Sequence, residues 1–210
     1  IMNQKIIKNT LILTAITLIS GLLLGFVYEI TKEPIAASRE NRKQEAYHTV
    51  FQEAETFQTF EAFEEKEAEE ILRNAGVSGC YVNEAALALD SGENASGSVV
   101  TATSKEGYGG EIKVSVGITL DGTVTGIELL SISETAGLGM NAQEPEFKEQ
   151  FQDVNTDHFE VVKGDGGKEG KIDALSGATI TTDAVTNAVN AAVAYYHGAM
   201  EGGSRSEERR

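Results

Sequence analysis

Residues 112–130, IKVSVGITLDGTVTGIELL, give the strongest indication of the fold. Ile112, Val114, Val116 and Ile118 alternate with Lys113, Ser115, Gly117 and Thr119, the period of a strand with one apolar face. Asp121-Gly122 supplies a tight turn, and Val124, Ile127, Leu129 and Leu130 return the chain. This predicts an antiparallel hairpin. Upstream, Gly107-Tyr108-Gly109-Gly110 reads as a flexible loop. Tyr81 to Leu89 and Ser98 to Thr103 read as two further strands, parted by the turn residues Asp90-Ser91-Gly92-Glu93-Asn94. Downstream, past Met140, comes a polar stretch interrupted by Pro145, with a short helix near Phe147 to Phe151. A last helix is predicted over Asp183 to His197, with Ala184, Val185, Ala188, Ala192 and Tyr195/Tyr196 on one side and Gly198 as its stop. The sum is an α+β domain with a mainly antiparallel sheet and a C-terminal helix, over residues 76–198. A frayed tail, 199–210, follows.

Residues 31–75 read as a membrane-proximal helical segment. Tyr47, Val50, Phe51 and Ala54 recur at three- and four-residue spacing and predict a packing face, with Glu45 and Glu53 opposite. Six glutamates between Glu61 and Glu70 read as a solvated helix or loop. Further upstream, LILTAITLISGLLLGFVY (Leu11–Tyr28) carries no charge. At about 1.5 Å per residue, with Thr10 and Ile30 extending it, the run matches a hydrocarbon core about 30 Å thick. It is longer than the roughly 7–15 apolar residues of a signal peptide, which predicts a retained anchor over 10–30. Lys5 and Lys8 precede it without any acid, so the short N-terminus, residues 1–9, is expected in the cytoplasm. Everything after Ile30 is then expected on the extracytoplasmic side of the cytoplasmic membrane.

The chain has 210 residues and a formal net charge of −16, and the part after Ile30 carries 32 acids against 15 bases. Such a surface excludes nucleic acid as a partner and stands off anionic headgroups. A single cysteine, Cys80, excludes an internal disulfide or a cysteine-ligated cluster within the chain alone, and it reads as a small core residue. His48, His158 and His197 show no metal-ligand spacing.

Two motifs could carry chemistry. Gly137-Leu138-Gly139-Met140-Asn141-Ala142 fits the dinucleotide fingerprint, but Gln143-Glu144-Pro145-Glu146 follows where a phosphate-binding helix should open. The two acids repel phosphate, and the Rossmann reading is set aside. The other motif is Asp173-Ala174-Leu175-Ser176-Gly177-Ala178-Thr179, leading into Ile180-Thr181-Thr182 and the last helix. Small residues admit a bulky group, hydroxyls offer attachment points, and a helix N-terminus favours an anionic phosphate. The plain alternative is a helix cap by Thr181 or Thr182.

Asp-x-x-Ser-Gly-Ala-Thr resembles the flavinylation signature of FMN-binding subunits in two related membrane redox pumps. These are the G subunit of the Rnf complex and the C subunit of the sodium-pumping NADH:quinone reductase. A second family element, usually Glu-Thr-Pro-Gly-Leu-Gly, is similar to Glu134-Thr135-Ala136-Gly137-Leu138-Gly139, with Ala136 in place of proline. Gly107 to Ile112 resembles the family's loop and strand before the hairpin.

The resemblance implies FMN as cofactor, joined through a phosphoester to Thr179 by a separate flavin transferase that uses FAD. It places Ser176, Gly177, Ala178, Glu134, Thr135, Gly137, Leu138 and Gly139 at the cofactor, and Asp173 in transferase recognition. No acid–base catalytic residue and no metal ligand is implied, because the flavin carries the redox chemistry. The compact length favours the Rnf complex. The implied role is an electron carrier among other membrane subunits of a ferredoxin:NAD oxidoreductase coupled to sodium or proton transport. The C subunit of the quinone reductase, or a stand-alone extracellular flavoprotein, is the alternative.

Overall fold

A computed structural model describes residues 4–164, 166 and 169–201. The chain divides into two compact units, Ile1–Lys43 and Gln44–Arg210. The first belongs to one long helix, α1 (Gln4–Val50), whose apolar stretch is exposed all round. That stretch is long and apolar enough to cross a membrane.

The second unit is built on a six-stranded antiparallel sheet, β1 (Thr56–Thr59), β2 (Cys80–Leu89), β3 (Ala95–Ser104), β4 (Ile112–Thr119), β5 (Thr123–Ser131) and β6 (Val154–Asn155), in sequential order. The predicted hairpin is present, with Val116 opposite Ile127 and Gly117 opposite Gly126. Asp121 closes its turn by accepting hydrogen bonds from Thr119 and Thr123, which hold its carboxyl below the usual range. The β2–β3 turn works likewise, with Asp90 Oδ1 accepting from the N–H groups of Gly92 and Asn94 at 2.8 and 2.9 Å.

One sheet face is covered by α4 (Thr179–Tyr195), which crosses β2, β3 and β4, and by α2 (Glu65–Asn74) beside it. Val100, Val114, Val116 and Ile118 meet Ala184, Val185, Ala188 and Ala192 there, all fully buried. The alanines let the helix lie close to the strands, and each buried valine or isoleucine contributes about 1.5–3 kcal/mol. The other face receives the last turn of α1. Tyr47, Val50, Phe51 and Ala54 pack on Ala86, Ala88 and Val99, as their spacing predicts. Gly117 is needed at this seam, because any side chain there would strike the Val50 carbonyl, which accepts the Thr125 hydroxyl.

The segment expected to be helical over 31–75 leaves the helix at Val50 and is helical again only in α2. It turns through Phe51–Ala54 and then supplies edge strand β1, paired with β2. Long-range pairing outweighs local pattern here. Between β5 and α4 lie a 3-10 turn (Gly139–Gln143), the short α3 (Pro145–Lys148), a second 3-10 turn (Glu149–Phe151) and β6. A small parallel pair, β7 (Glu160–Val162) and β8 (Lys171–Asp173), completes the excursion. Asn190 of α4 anchors it, its side chain accepting the Phe159 N–H and donating to the Phe159 carbonyl. Gly198 does not stop the last helix as its position suggests. A π-helical turn (Tyr196–Met200) runs through it and buries Met200 against the main core, so residues 199 and 200 are not the frayed tail expected there. Its remainder beyond Glu201 lies outside the described residues.

Candidate functional site

The last helix starts four residues earlier than its sequence signals indicate, at Thr179 instead of Asp183. Its N-cap is Ala178, without a side-chain cap, and its first turn holds no acid. The N–H groups of Thr179, Ile180 and Thr181 therefore open to whatever lies before the helix. Thr182 is not the cap that its position suggests. Its Oγ1 accepts the Leu175 N–H and donates to the Ala178 carbonyl, both at 3.0 Å, which folds the motif back onto the first turn. Gly177 takes a left-handed φ of +74°, suited to glycine, at the bend. Ser176 and Thr179 are exposed, whereas Ala178 is buried.

The second motif lies directly against this bend. Leu138 meets Gly177 so closely that a Cβ there would sit 3.3 Å from Leu138 Cδ2. Gly139 is enclosed, and a Cβ on it would sit 2.5 Å from Thr181 Oγ1 and 2.7 Å from Glu134 Cβ. The Thr135 carbonyl accepts the N–H groups of Leu138 and Met140 at 3.1 and 3.2 Å, and Gly137 turns with φ +75°. Gly137–Ala142 opens only the 3-10 turn and then the four-residue α3 with Pro145 first, a structure without the long helix a dinucleotide site requires.

Glu134 reaches a third loop. Its Oε1 accepts the Gly109 N–H at 3.1 Å, and Gly109 passes so near the Ser133 carbonyl that no side chain fits. The loop Gly107–Gly110 thus belongs to the same surface, although its sequence marks it only as a lead-in to β4. Tyr108 and Ile180 are residues of this surface that sequence patterns did not single out. Among the described residues of the second unit, four large hydrophobic side chains are exposed, and three stand in these segments: Tyr108 at 73% and Leu138 at 42% on the loops, and Ile180 at 54% in the first turn of α4. Their signal was an apolar residue set among glycines or at a helix start, where no core face requires one. These segments, joined through Glu134, Gly139 and Gly177, make up a shelf that includes the exposed Thr179 hydroxyl. Two cavities of about 460 and 450 Å³ have other linings, one including Val50, Glu128 and Lys148, the other Tyr81, Lys105 and Glu111.

Asp173 stands at the end of β8, six residues before Thr179. Its N–H donates to Gln150 Oε1 at 2.6 Å, and its Oδ1 is buried without a partner among the described residues. Cys80 is half-buried at the start of β2 and packs on the main core, and burial pushes its thiol pKa up. That is the setting of an unreactive packing residue.

The shelf suits FMN: an exposed hydroxyl, free N–H groups for a phosphate, glycines that allow close approach, and apolar side chains for a planar ring. Comparison with known proteins gives the domain and the family. An FMN-binding domain model matches residues 107–194, and an RnfG N-terminal region model matches residues 2–50. The chain is 35% identical to the G subunit of the proton-translocating ferredoxin:NAD(+) oxidoreductase complex of Clostridium ljungdahlii, over 86% of each chain. It is 32% identical to the G subunit of the Na(+)-translocating ferredoxin:NAD(+) oxidoreductase complex of Acetobacterium woodii, over 92% of each. The chain belongs to the RnfG family. A further relative in that family, the G subunit of the ion-translocating oxidoreductase complex of Methanosarcina acetivorans, is 30% identical over 92% of this chain and 95% of its own. Among solved structures, Shewanella oneidensis NqrC aligns with a TM-score of 0.49 and 21% identity, over 59% of this chain and 61% of that one. As a member of the RnfG family, the chain has an FMN-binding, electron-transport role, and its shelf falls within the matched domain.

Proposed function

We propose that the chain is the covalent flavin carrier of an Rnf-type complex, with FMN joined by a phosphoester to Thr179. The observation that carries this reading is the convergence of two motifs about 40 residues apart in sequence: Leu138 rests on Gly177, and Gly139 on Thr181, next to the exposed Thr179 hydroxyl in the first turn of α4. When bound, FMN supplies the redox chemistry, accepting and releasing electrons between neighbouring carriers of a ferredoxin:NAD oxidoreductase coupled to ion transport. This chain's residues hold and orient it. The first-turn N–H groups of α4 would hold its phosphoryl group, and the absence of an acid in that turn removes a repulsion. Tyr108, Leu138 and Ile180 provide apolar contact for the ring. Glu134 is tied up in bracing the Gly107–Gly110 loop, a positioning role.

A separate transferase makes the bond in this reading. The Thr179 oxygen bonds to phosphorus as FAD loses AMP, with the hydroxyl proton leaving. Asp173, six residues before Thr179, serves recognition by that enzyme. The anchor over 10–30 holds the chain in the cytoplasmic membrane with residues 1–9 inside and the flavin domain outside, and the other membrane subunits of the complex are its partners. Mass spectrometry of the intact chain and flavin fluorescence in a denaturing gel test the bond. Thr179→Ala should abolish the fluorescent band while circular dichroism shows the domain still folded, because an exposed hydroxyl adds less than about 0.5 kcal/mol to stability. A Thr179→Ala protein with undiminished covalent flavin would overturn the assignment.

A further inference from the structure

We infer that Glu106 and Asn187 are a positioning pair for the flavin site, holding the loop Gly107–Gly110 against α4 at a second point. The inference rests on the flavin reading, which sets Tyr108 of that loop against the ring. The first point is the one described above. Glu134 Oε1 accepts the Gly109 N–H, and Glu134 lies with Thr181 against Gly139. A single point of this kind leaves the loop free to swing, because three of its four residues are glycines and give it little stiffness.

The second point lies further along the helix. Asn187 Nδ2 donates to Glu106 Oε2 at 3.2 Å. Asn187 follows Thr181 by six residues, about 9 Å along the helix axis, so the two moorings are well separated. It also falls on the same helical stripe as Ile180, seven residues before it.

Glu106 is exposed, and a solvated glutamate ordinarily samples many rotamers. Its freedom is cut from the other side. The side chain lies on Gly79, where a Cβ would sit 2.5 Å from Glu106 Cδ, and Gly79 takes a left-handed φ of +69°. The Gly79 carbonyl accepts the Lys105 N–H at 2.8 Å, and Ser104 Oγ accepts the Glu106 N–H at 3.3 Å. Lys105, the adjacent base, is engaged with Tyr81, its ammonium 5.0 Å from the ring centre. With both moorings made, the loop cannot turn about either. Tyr108 is then carried in one orientation relative to the helix that bears Thr179. A mooring needs only the acceptor oxygen of Glu106, whereas an electrostatic role would need its charge.

The test uses the full-length chain with its flavin, purified in detergent, and reads flavin fluorescence and the hydrogen exchange of the Gly109 amide. A phenol in contact with an excited isoalloxazine quenches its emission by reversible electron transfer, so Tyr108→Leu gives the unquenched level. Glu106→Ala and Asn187→Ala should each lose the quenching and speed Gly109 exchange about tenfold. The double variant should do no more than either single one, and Glu106→Gln, which keeps the acceptor, should restore wild-type values of both. Cooperative thermal unfolding shows that each variant is folded. Unchanged exchange in Glu106→Ala, strictly additive effects, or Glu106→Gln behaving like Glu106→Ala would overturn the inference. So would faster exchange with emission still quenched, since the loop would then be held without consequence for the flavin. Emission indifferent to Tyr108→Leu would instead sink the placing of Tyr108 at the ring, and a wild-type chain without flavin the cofactor reading. In both cases the exchange series still decides whether the pair holds the loop.

Discussion

Two apolar helices of this protein have opposite fates. The uncharged stretch Leu11–Tyr28 of α1 is exposed on every side, with Leu22 at 73% and Leu24 at 72%. In α4, twelve of the 17 residues are buried, among them Ala184, Val185, Ala188, Val189 and Tyr195. The difference lies in the kind of apolar residue. α1 presents large, flexible Leu, Ile and Phe side chains suited to lipid surroundings, whereas α4 presents Ala and Val that let backbone approach backbone on the sheet. α4 also keeps polar residues that reach fixed partners: Thr182 to Leu175, Asn190 to Phe159. Apolarity makes each helix leave water. Side-chain size selects where it goes.

The most severe challenge to this contrast places one charge in each helix. Ala188→Asp should unfold the second unit, because an unpaired carboxylate in the core costs more than about 4 kcal/mol; chemical denaturation would show no cooperative transition. Leu22→Asp should leave the domain's unfolding curve untouched and instead cost about 2.5–3.5 kcal/mol of membrane insertion, read as protein released from the membrane fraction. Equal unfolding by both would refute the division of roles.

Thr182→Val keeps the size of a residue buried in α4 and removes a hydroxyl that bridges the motif to the helix. It should cost about 1–3 kcal/mol, by leaving the Leu175 N–H unpaired, and should lower covalent flavin content through displacement of residues 175–178. The measurement is in-gel fluorescence per folded protein alongside thermal unfolding.

A milder change probes the other end of α4. Tyr195 is fully buried, its hydroxyl has no partner among the described residues, and burial, with Glu67 adding repulsion, pushes its pKa up to about 12. The unfolded phenol ionises near its ordinary value of 10 and the folded one does not, so this stability is complete below pH 10. It is lost as pH rises from about 10 to about 12. Tyr195→Phe should be neutral or stabilising by up to about 1 kcal/mol at pH 7 and should flatten that part of the alkaline loss, both visible in denaturation midpoints across pH.

Much of the sheet was legible because alternation in Ile112–Ile118 and turn chemistry at Asp121-Gly122 and Asp90–Asn94 are local signals. β1 was not. Four residues of mixed exposure carry no clear pattern, and Thr56–Thr59 become a strand only because β2 offers an edge. The start of α4 was misplaced for a similar reason. Start signals are capping side chains, and this helix begins on Ala178 without one, while Thr182, which looks like a cap, is spent on the loop before it. The missing cap is what leaves the N–H groups available, so the proposed site is a departure from the rule for ordinary helices.

The apolar anchor stretch, the antiparallel hairpin, the acidic surface and the two motifs are each written in neighbouring residues, and the amino-acid order alone was enough to specify them. Three-dimensional packing was needed to lay Leu138 on Gly177, to brace Gly109 with Glu134, and to set Gly139 against Thr181 at the start of α4. Those contacts join segments tens of residues apart at one end of the sheet. Their geometry comes from strand pairing and from the close seat of α4, and no local pattern encodes it.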